Sequence, residues 1–364
     1  MDLNVKGCVG ILCLALVLAL PVLAEDAKPA AAPAANPADT PSYKVGVTLF
    51  TDYTYQANPN ALDADKNKVN PSAFNVGRAY INVTGNLNHR IQFRITPDIV
   101  RETGSGSSIS GSYTFRLKYA FAQLNLDDWA TKGSWLRLGL QQTPYLDYME
   151  GIYRYRFQGP LFVDKEGFIT ASDNGFSGHY NFAGNYGDAH IGFYNGEGYQ
   201  KAEANDKKAI QARVAFRPLP VSDLGKGLRV GVFYDGDNYL RNAEKTRLMP
   251  FATYEAKWGN AGFEYLRAKD QTTSTRPGVK ADGYSIWVTP KLTKTLELLA
   301  RHDSLKPNQD VDGKKSRDVL GIAYWVPNLQ KVTAAVMLDG EVVNYDRIAK
   351  PDETRYGVHL LVSF

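Results

Sequence analysis

From Tyr43 to the C-terminus the chain alternates apolar and polar residues with a period of two. In 89–102, Ile91, Phe93, Ile95 and Ile99 fall on one side, with Arg90, Gln92, Arg94, Thr96 and Asp98 on the other. A helix would scatter these over its whole surface, whereas a strand sends successive side chains to opposite faces. In 209–217, Ile210, Ala212, Val214 and Phe216 oppose Gln211, Arg213, Ala215 and Arg217, and 228–235 alternates in the same way. A soluble sandwich with such faces usually stops at about seven to nine strands. Here the pattern continues for roughly 320 residues, which predicts a membrane barrel, apolar outside and polar inside.

About sixteen alternating segments can be counted, centred near Leu49, Tyr80, Phe93, Tyr119, Leu138, Tyr180, Ile191, Val214, Val232, Thr253, Tyr265, Ile286, Leu298, Ile322, Val336 and Leu360. An even count returns both ends of the barrel to one side. The spacing, about 21 residues per strand and connection, suits a membrane strand of about 10 residues. Connection lengths alternate too. Tight turns are expected at 86–88, Gly184-Asn185, Gly259-Asn260, Thr293-Lys294 and Asn328-Leu329, with somewhat longer ones at 127–133 and 219–225. Between them lie mostly longer connections, among them 56–72, 102–111, 143–172 and 270–282. Short periplasmic turns and long external loops are the asymmetry of outer-membrane barrels. Trp129, Trp135, Trp258 and Trp325 all flank the short-turn side, where amphipathic rings are expected at the membrane boundary.

The fold expected is therefore all-β: a transmembrane antiparallel β-barrel of about sixteen strands over 43–364. Ahead of it, Lys6, the apolar stretch Val9 to Leu23 and the small-residue site Val22-Leu23-Ala24 read as a signal peptide, 1–24, cleaved near Ala24. Residues 25–42 carry Pro29, Pro33, Pro37 and Pro41 among alanines and are expected to be an extended periplasmic spacer. At the other end Tyr356, Val358, Leu360, Val362 and Phe364 alternate to a terminal aromatic. That pattern, with Phe364, Val362 and Leu360 at its end, resembles the signal by which barrel-assembly machinery recognises bacterial outer-membrane barrels for insertion.

Composition narrows the chemistry. Both cysteines, Cys8 and Cys13, lie in the export segment, so a mature chain without them has no disulfides, thiolate metal sites or Cys nucleophile. Charged residues make up 22% and aromatics 12%, with 22 Tyr and 32 Gly, which supplies strands and close turns. The formal net charge of +4 has no basic run behind it, so nucleic acid is not an expected partner.

Several stretches resemble the phosphate-selective porin O and P family: 46–53 (GVTLFTDY), 74–80 (FNVGRAY), 136–145 (LRLGLQQTPY), 215–218 (AFRP) and 296–303 (LELLARHD). The resemblance covers most of the mature chain through short, tolerant motifs. It implies a sixteen-stranded, trimeric diffusion channel whose third external loop folds into the lumen. One position departs from the pattern: Gln142 stands where family members commonly carry a basic residue before the Thr-Pro pair, so a channel is implied more firmly than phosphate as its solute.

Arginine on the lipid face near the midplane would cost roughly 2–4 kcal/mol, so strand-borne charges are assigned inward. The lumen is expected to carry Arg78, Arg90, Arg94, Arg116, Lys118, Arg137, Arg213, Arg217, Arg229, Arg301 and Arg355, facing Asp52, Asp98, Asp235, Glu264, Glu297 and Asp303. Any one of these arginines could instead serve a wall salt bridge. As a set, an excess of guanidinium groups favours anion passage. The longest connection, 143–172, contains Tyr153, Arg154, Tyr155, Arg156 and Phe157, then Asp164, Lys165 and Glu166. Folded inward, its rings would pack on the wall. Tyr153, Arg154, Tyr155, Arg156, Asp164 and Lys165 would then form the pore constriction. The alternative is an outer loop at a trimer contact.

Other chemistry is sparse. His179 and His190 both alternate inward on one hairpin, but two ligands fall short of a zinc site. No serine lies in a motif near a histidine, so no catalytic residue is assigned. Asn82-Val83-Thr84 matches a glycosylation triplet, yet sits mid-strand. No cofactor and no metal are expected. The expected function is passive diffusion of small hydrophilic solutes, anion-leaning and including phosphate or other oxyanions, through a homotrimer in outer-membrane lipid. The alternatives are a barrel sheath around an electron-transfer cytochrome or other inserted partner, with a wider bore, fewer inward charges and no constricting loop, and an adhesin or receptor whose long loops bind external ligands.

Overall fold

A computed structural model of the protein describes residues 39–364. The expected export segment, 1–24, and the spacer as far as residue 38 lie outside the described residues. The first eight strands are β1 (Ser42–Asn58), β2 (Ser72–Asn86), β3 (Ile91–Arg101), β4 (Tyr113–Asn125), β5 (Trp135–Gln142), β6 (Ser172–Asn181), β7 (Gly187–Tyr194) and β8 (Ala209–Phe216). The second eight are β9 (Leu228–Leu240), β10 (Ala243–Ala256), β11 (Gly259–Asp270), β12 (Val279–Pro290), β13 (Leu296–Lys306), β14 (Lys314–Trp325), β15 (Thr333–Asp346) and β16 (Glu353–Ser363). Each pairs antiparallel with the next, and β1 pairs with β16 to close the barrel. Every expected strand centre, from Leu49 to Leu360, falls inside a strand. At the seam, Phe364 donates its N–H to the Val47 carbonyl and Val47 donates to that of Phe364, both at 3.0 Å.

Exposure along the strands is the reverse of that in a soluble protein. In β8, Ile210 and Phe216 are 46% and 44% exposed, while Gln211 and Arg213 on the opposite face are buried. Around the ring, Leu138, Ile191, Val232, Ile286, Leu320 and Leu338 are likewise exposed. A continuous apolar belt outside and polar side chains inside is what a hydrocarbon surround stabilises. Connections after even-numbered strands are mostly short and those after odd-numbered strands mostly long. One long-side connection is an exception, the two-residue turn 241–242 with Asn242 at φ 67°. The tight turn expected at Gly259-Asn260 lies at 257–258, because Gly259 already pairs with Ala256 and Pro290.

The tryptophans divide. Trp129 and Trp258 are exposed beside their turns. Trp135 and Trp325 face inward, correcting the expectation of a four-membered belt: Trp135 stacks on His179 at 5.2 Å, and Trp325 packs on Tyr155 at 5.9 Å. Each sits at a strand end in phase with the luminal residues, and proximity to a turn does not reveal that phase.

The hydrophobic core lies inside the barrel and is built by the third long connection, 143–171, which folds inward. Within it α1 (Pro144–Tyr153) starts on Pro144 at its first turn and ends at Arg154, whose φ of 55° halts the helix. A single turn, α2 (Phe162–Lys165), follows. Tyr145, Met149, Tyr153, Tyr155 and Phe162 are buried against Phe233, Phe251, Leu266, Trp287 and Leu299 of the wall. Burying such a side chain is worth about 1.5–3 kcal/mol, so several together hold the segment in place.

Candidate functional site

Where β5 meets the inserted segment, Gly139 has a φ of 122°, and a Cβ there would lie 2.4 Å from the Ala120 carbonyl oxygen. Only glycine fits this position. Beyond it Leu140, Gln141 and Gln142 are all buried, and the chain turns into the lumen at Thr143. On β4 one extra residue, Lys118, interrupts the register with β3, so Lys118 and Tyr119 are both buried on the luminal side. A bulge of this kind re-aims a side chain, and simple alternation does not foresee it.

These two devices shape a basic wall on β2–β5. Arg116 donates to Asp98 at 3.0 Å, and Arg78 lies 3.8 Å from the same carboxylate. Lys118 donates to the Tyr80 hydroxyl at 3.0 Å. Arg94 donates to Asn82 at 2.8 Å and to Thr96 at 3.0 Å, and lies over the Tyr119 ring. Arg137 donates to Gln123 at 2.7 Å and to Gln142 at 3.2 Å, with its guanidinium 3.6 Å from the Trp135 ring centre. Gln142, the position that departs from the family pattern, thus accepts from an arginine that a basic residue would repel. Lys118, Arg94 and Arg137 are held by neutral groups and form no ion pair among the described residues, so no carboxylate is bonded to them.

Across from this wall α1 presents Asp147 and Glu150, which sequence reasoning missed. Asp147 is exposed to the internal space, and Arg137, Arg94 and Arg213 are the cations whose fields bear on it. Glu150 accepts from Arg156 at 2.8 Å and lies within the field of Lys118. The available signal was the Thr-Pro helix start: residues three apart on a helix share a face, here the one opposite Tyr145, Met149 and Ile152. Cavities flank the basic wall at both ends, one of about 610 Å³ against Arg78, Arg116 and Tyr199 and one of about 280 Å³ against Arg94, Gln123 and Arg137.

The residues expected at the constriction take different places. Tyr153 and Tyr155 are fully buried, anchoring the loop on Trp287 and Trp325 rather than lining open space. Arg154 is bound to Glu297 at 2.7 Å and lies over Trp325. Arg156 bridges Glu150 and Asp164, at 2.8 and 3.0 Å. Lys165 is exposed in a small luminal cavity beside Asp52, Glu341 and Arg355.

Among the other expected lumen residues, Arg213, Arg301 and Glu264 clamp the loop to the wall. Arg213 pairs with Asp188 and donates to the Pro144 carbonyl at 3.0 Å. Arg301 pairs with Asp303 at 2.6 Å and donates to the Pro160 carbonyl at 2.7 Å. Glu264, fully buried, accepts from the Tyr145 hydroxyl. Arg229 pairs with Glu255, and Arg355 with Glu353. Asp52 accepts from Asn75, Asp235 is buried, and Arg217 follows the end of β8. Arg90 lies in the β2–β3 turn, on Asp128 at 2.7 Å and over Trp129, rather than along the strand. Clamps that sequence reasoning missed are Arg247, which donates to the Phe168 carbonyl at 3.1 Å, and Lys315 and Arg317, both on Glu166. His179 bonds to Asp188 and His190 to Ser177, at 3.0 and 3.1 Å. Among the described residues no group of three or more His, Cys, Asp or Glu is arranged to hold a metal ion.

No protein-family model matches the chain, and no curated protein matches it. Solved structures do. An OmpT of Vibrio cholerae lacking loop L8 is 13% identical with a TM-score of 0.62, over 90% of this chain and all of that one. An anion-selective porin from Comamonas acidovorans is 13% identical with a TM-score of 0.60, over 89% and 99%. The in-vitro folded, trimer form of the Vibrio cholerae OmpT is 12% identical with a TM-score of 0.58, over 89% and 100%. At such identities the likeness is one of fold.

Proposed function

We propose that the protein is a passive diffusion porin of a bacterial outer membrane, with a pore that favours anions. The observation that carries this is the basic wall, where Arg94, Arg137 and Lys118 stand beside the inserted loop with no carboxylate bonded to them. Sixteen strands enclose room for an aqueous channel, and the loop narrows it. A solute crossing between α1 and β2–β5 meets cations on one side and Asp147 and Glu150 on the other. It is therefore turned with its negative end toward the wall, and anions gain from the excess of positive groups there. Small oxyanions, phosphate among them, are the solutes of this reading.

The reading includes export by the N-terminal segment, insertion through Phe364, Val362 and Leu360 by the barrel-assembly machinery, and a homotrimer in outer-membrane lipid. The trimer form of the Vibrio cholerae OmpT, a barrel of the same fold, supports the last. A sheath around an inserted cytochrome fits less well, because the inserted segment already fills much of the bore. Reconstitution in planar bilayers tests the proposal. Discrete, repeatable conductance steps with an anion-sided reversal potential across a salt gradient are expected. A silent protein, or one with an irregular and very large pore, would refute it.

A further inference from the structure

The outer face of the barrel carries a second charged feature unrelated to the lumen. On β11, Glu264, Leu266 and Ala268 are buried on the inward side, so Arg267 and Lys269 point outward, where Arg267 is exposed. On β12 a Cβ at Gly283 would lie 2.7 Å from the Phe162 ring of the inserted segment. Gly283 therefore faces inward, and Lys280 and Asp282 face outward. The register sets Lys269 directly opposite Lys280, and Arg267 opposite Asp282. Like charges placed opposite each other destabilise a sheet.

Of the nearby carboxylates, Glu244 is bonded to Lys269, while Asp282 accepts from the neutral Gln309 amide at 2.8 Å and keeps its charge opposite Arg267. Arg267 and Lys280 form no ion pair among the described residues. The two lie on a cavity of about 470 Å³, whose other walls include Tyr234, Leu248 and Gln309. It sits near the long-connection end of β11 and β12; below it on the outer face lie Tyr265 and Tyr284, then the exposed Phe263 and Ile286. The cavity thus sets its cations beside Leu248 and Tyr234, which lie in the register row of Arg267, with aromatic side chains below them on the outer face.

We infer that this cavity binds a phosphorylated membrane lipid of the long-loop leaflet. Its phosphate is held between Arg267 and Lys280, and its chain lies along Leu248 and Tyr234. A guanidinium offers paired N–H donors to phosphate oxygens, and a lysine adds a point charge. A lipid is the source favoured over free phosphate because the site opens on the outer surface of the barrel, beside hydrocarbon, and not on the lumen.

The test uses the purified full chain in non-ionic detergent, titrated with dioctanoyl phosphatidic acid, dioctanoylglycerol or inorganic phosphate and followed by calorimetry. Saturable, one-site binding of the phosphatidic acid is expected, with Arg267→Gln/Lys280→Gln weaker by about tenfold or more, as for loss of charge-assisted bonds. The charge-conserving Arg267→Lys/Lys280→Arg should stay within a few-fold of wild type. Unchanged heat-modifiable migration in both variants shows that the barrel is folded, and it keeps this result separate from the proposed pore function. Equal affinity of wild type and the glutamine variant, loss in the charge-conserving one, or equal binding of dioctanoylglycerol would each overturn the inference. Displacement of the lipid by an equal concentration of inorganic phosphate would mark a free-ion site instead and overturn the lipid assignment.

Discussion

Replacing Arg94 and Arg137 together by glutamine removes two wall cations whose hydrogen-bond partners are neutral. For an ion passing at about 8 Å, with an effective dielectric of roughly 60 between protein and water, each guanidinium is worth about 0.7 kcal/mol. The sign is opposite for anion and cation, so one removal would shift the anion-to-cation ratio by about tenfold without salt. At 0.1 M the Debye length is about 10 Å, which roughly halves each term. The double variant should then lower the permeability ratio by about tenfold overall. Reversal potential across a potassium chloride gradient reads this directly. Arg241→Gln, in the exposed two-residue turn 241–242, should leave it unchanged because outer charges are screened. A double variant that keeps the wild-type reversal potential would show that the β2–β5 wall does not set selectivity.

Tyr145→Phe strands the buried Glu264 carboxylate without its hydroxyl donor, which should loosen the loop by about 1–3 kcal/mol; noisier, larger conductance steps would show it, and wild-type steps would argue against the clamp. Deleting Phe364 removes both seam hydrogen bonds with Val47 and should lower the amount of heat-modifiable barrel in the outer membrane, so normal levels would exclude a role for the terminal residue. Epitopes inserted in 102–111 or 271–278 should be reached on intact cells, and one at 257–258 only after the membrane is breached; labelling at 257–258 on intact cells would invert the topology. Hydrogen bonds to Asp39 and then Asp128 raise the His89 pKa. The contact with Asp39 should therefore be fully present below the usual histidine value of about 6.5 and be lost as pH rises through the raised value. An NMR titration of His89 giving a midpoint at or below about 6.5 would contradict this.

The sequence by itself determined the barrel. A wall with lipid on one side and water on the other imposes a period of two on every strand, and that constraint is local. This is why segments as different as 91–101 and 353–363 could both be recognised without knowing their neighbours. Connection lengths and the aromatic content of 143–172 were legible for the same reason. Tertiary structure alone decided which charges are free. Arg154 meets Glu297 and Arg317 meets Glu166 across 143 and 151 residues, and no local pattern encodes such a meeting. Alternation placed Arg137 and Arg301 alike in the lumen. The fold then gave Arg301 to Asp303 and left Arg137 on Gln123, Gln142 and Trp135. Strand phase has the same origin: the bulge at Lys118, which leaves both Lys118 and Tyr119 inward, and the inward turn of Trp135 and Trp325 depend on how strands pair and what fills the bore. Pairing and filling are properties of the closed barrel, and a single strand does not carry them.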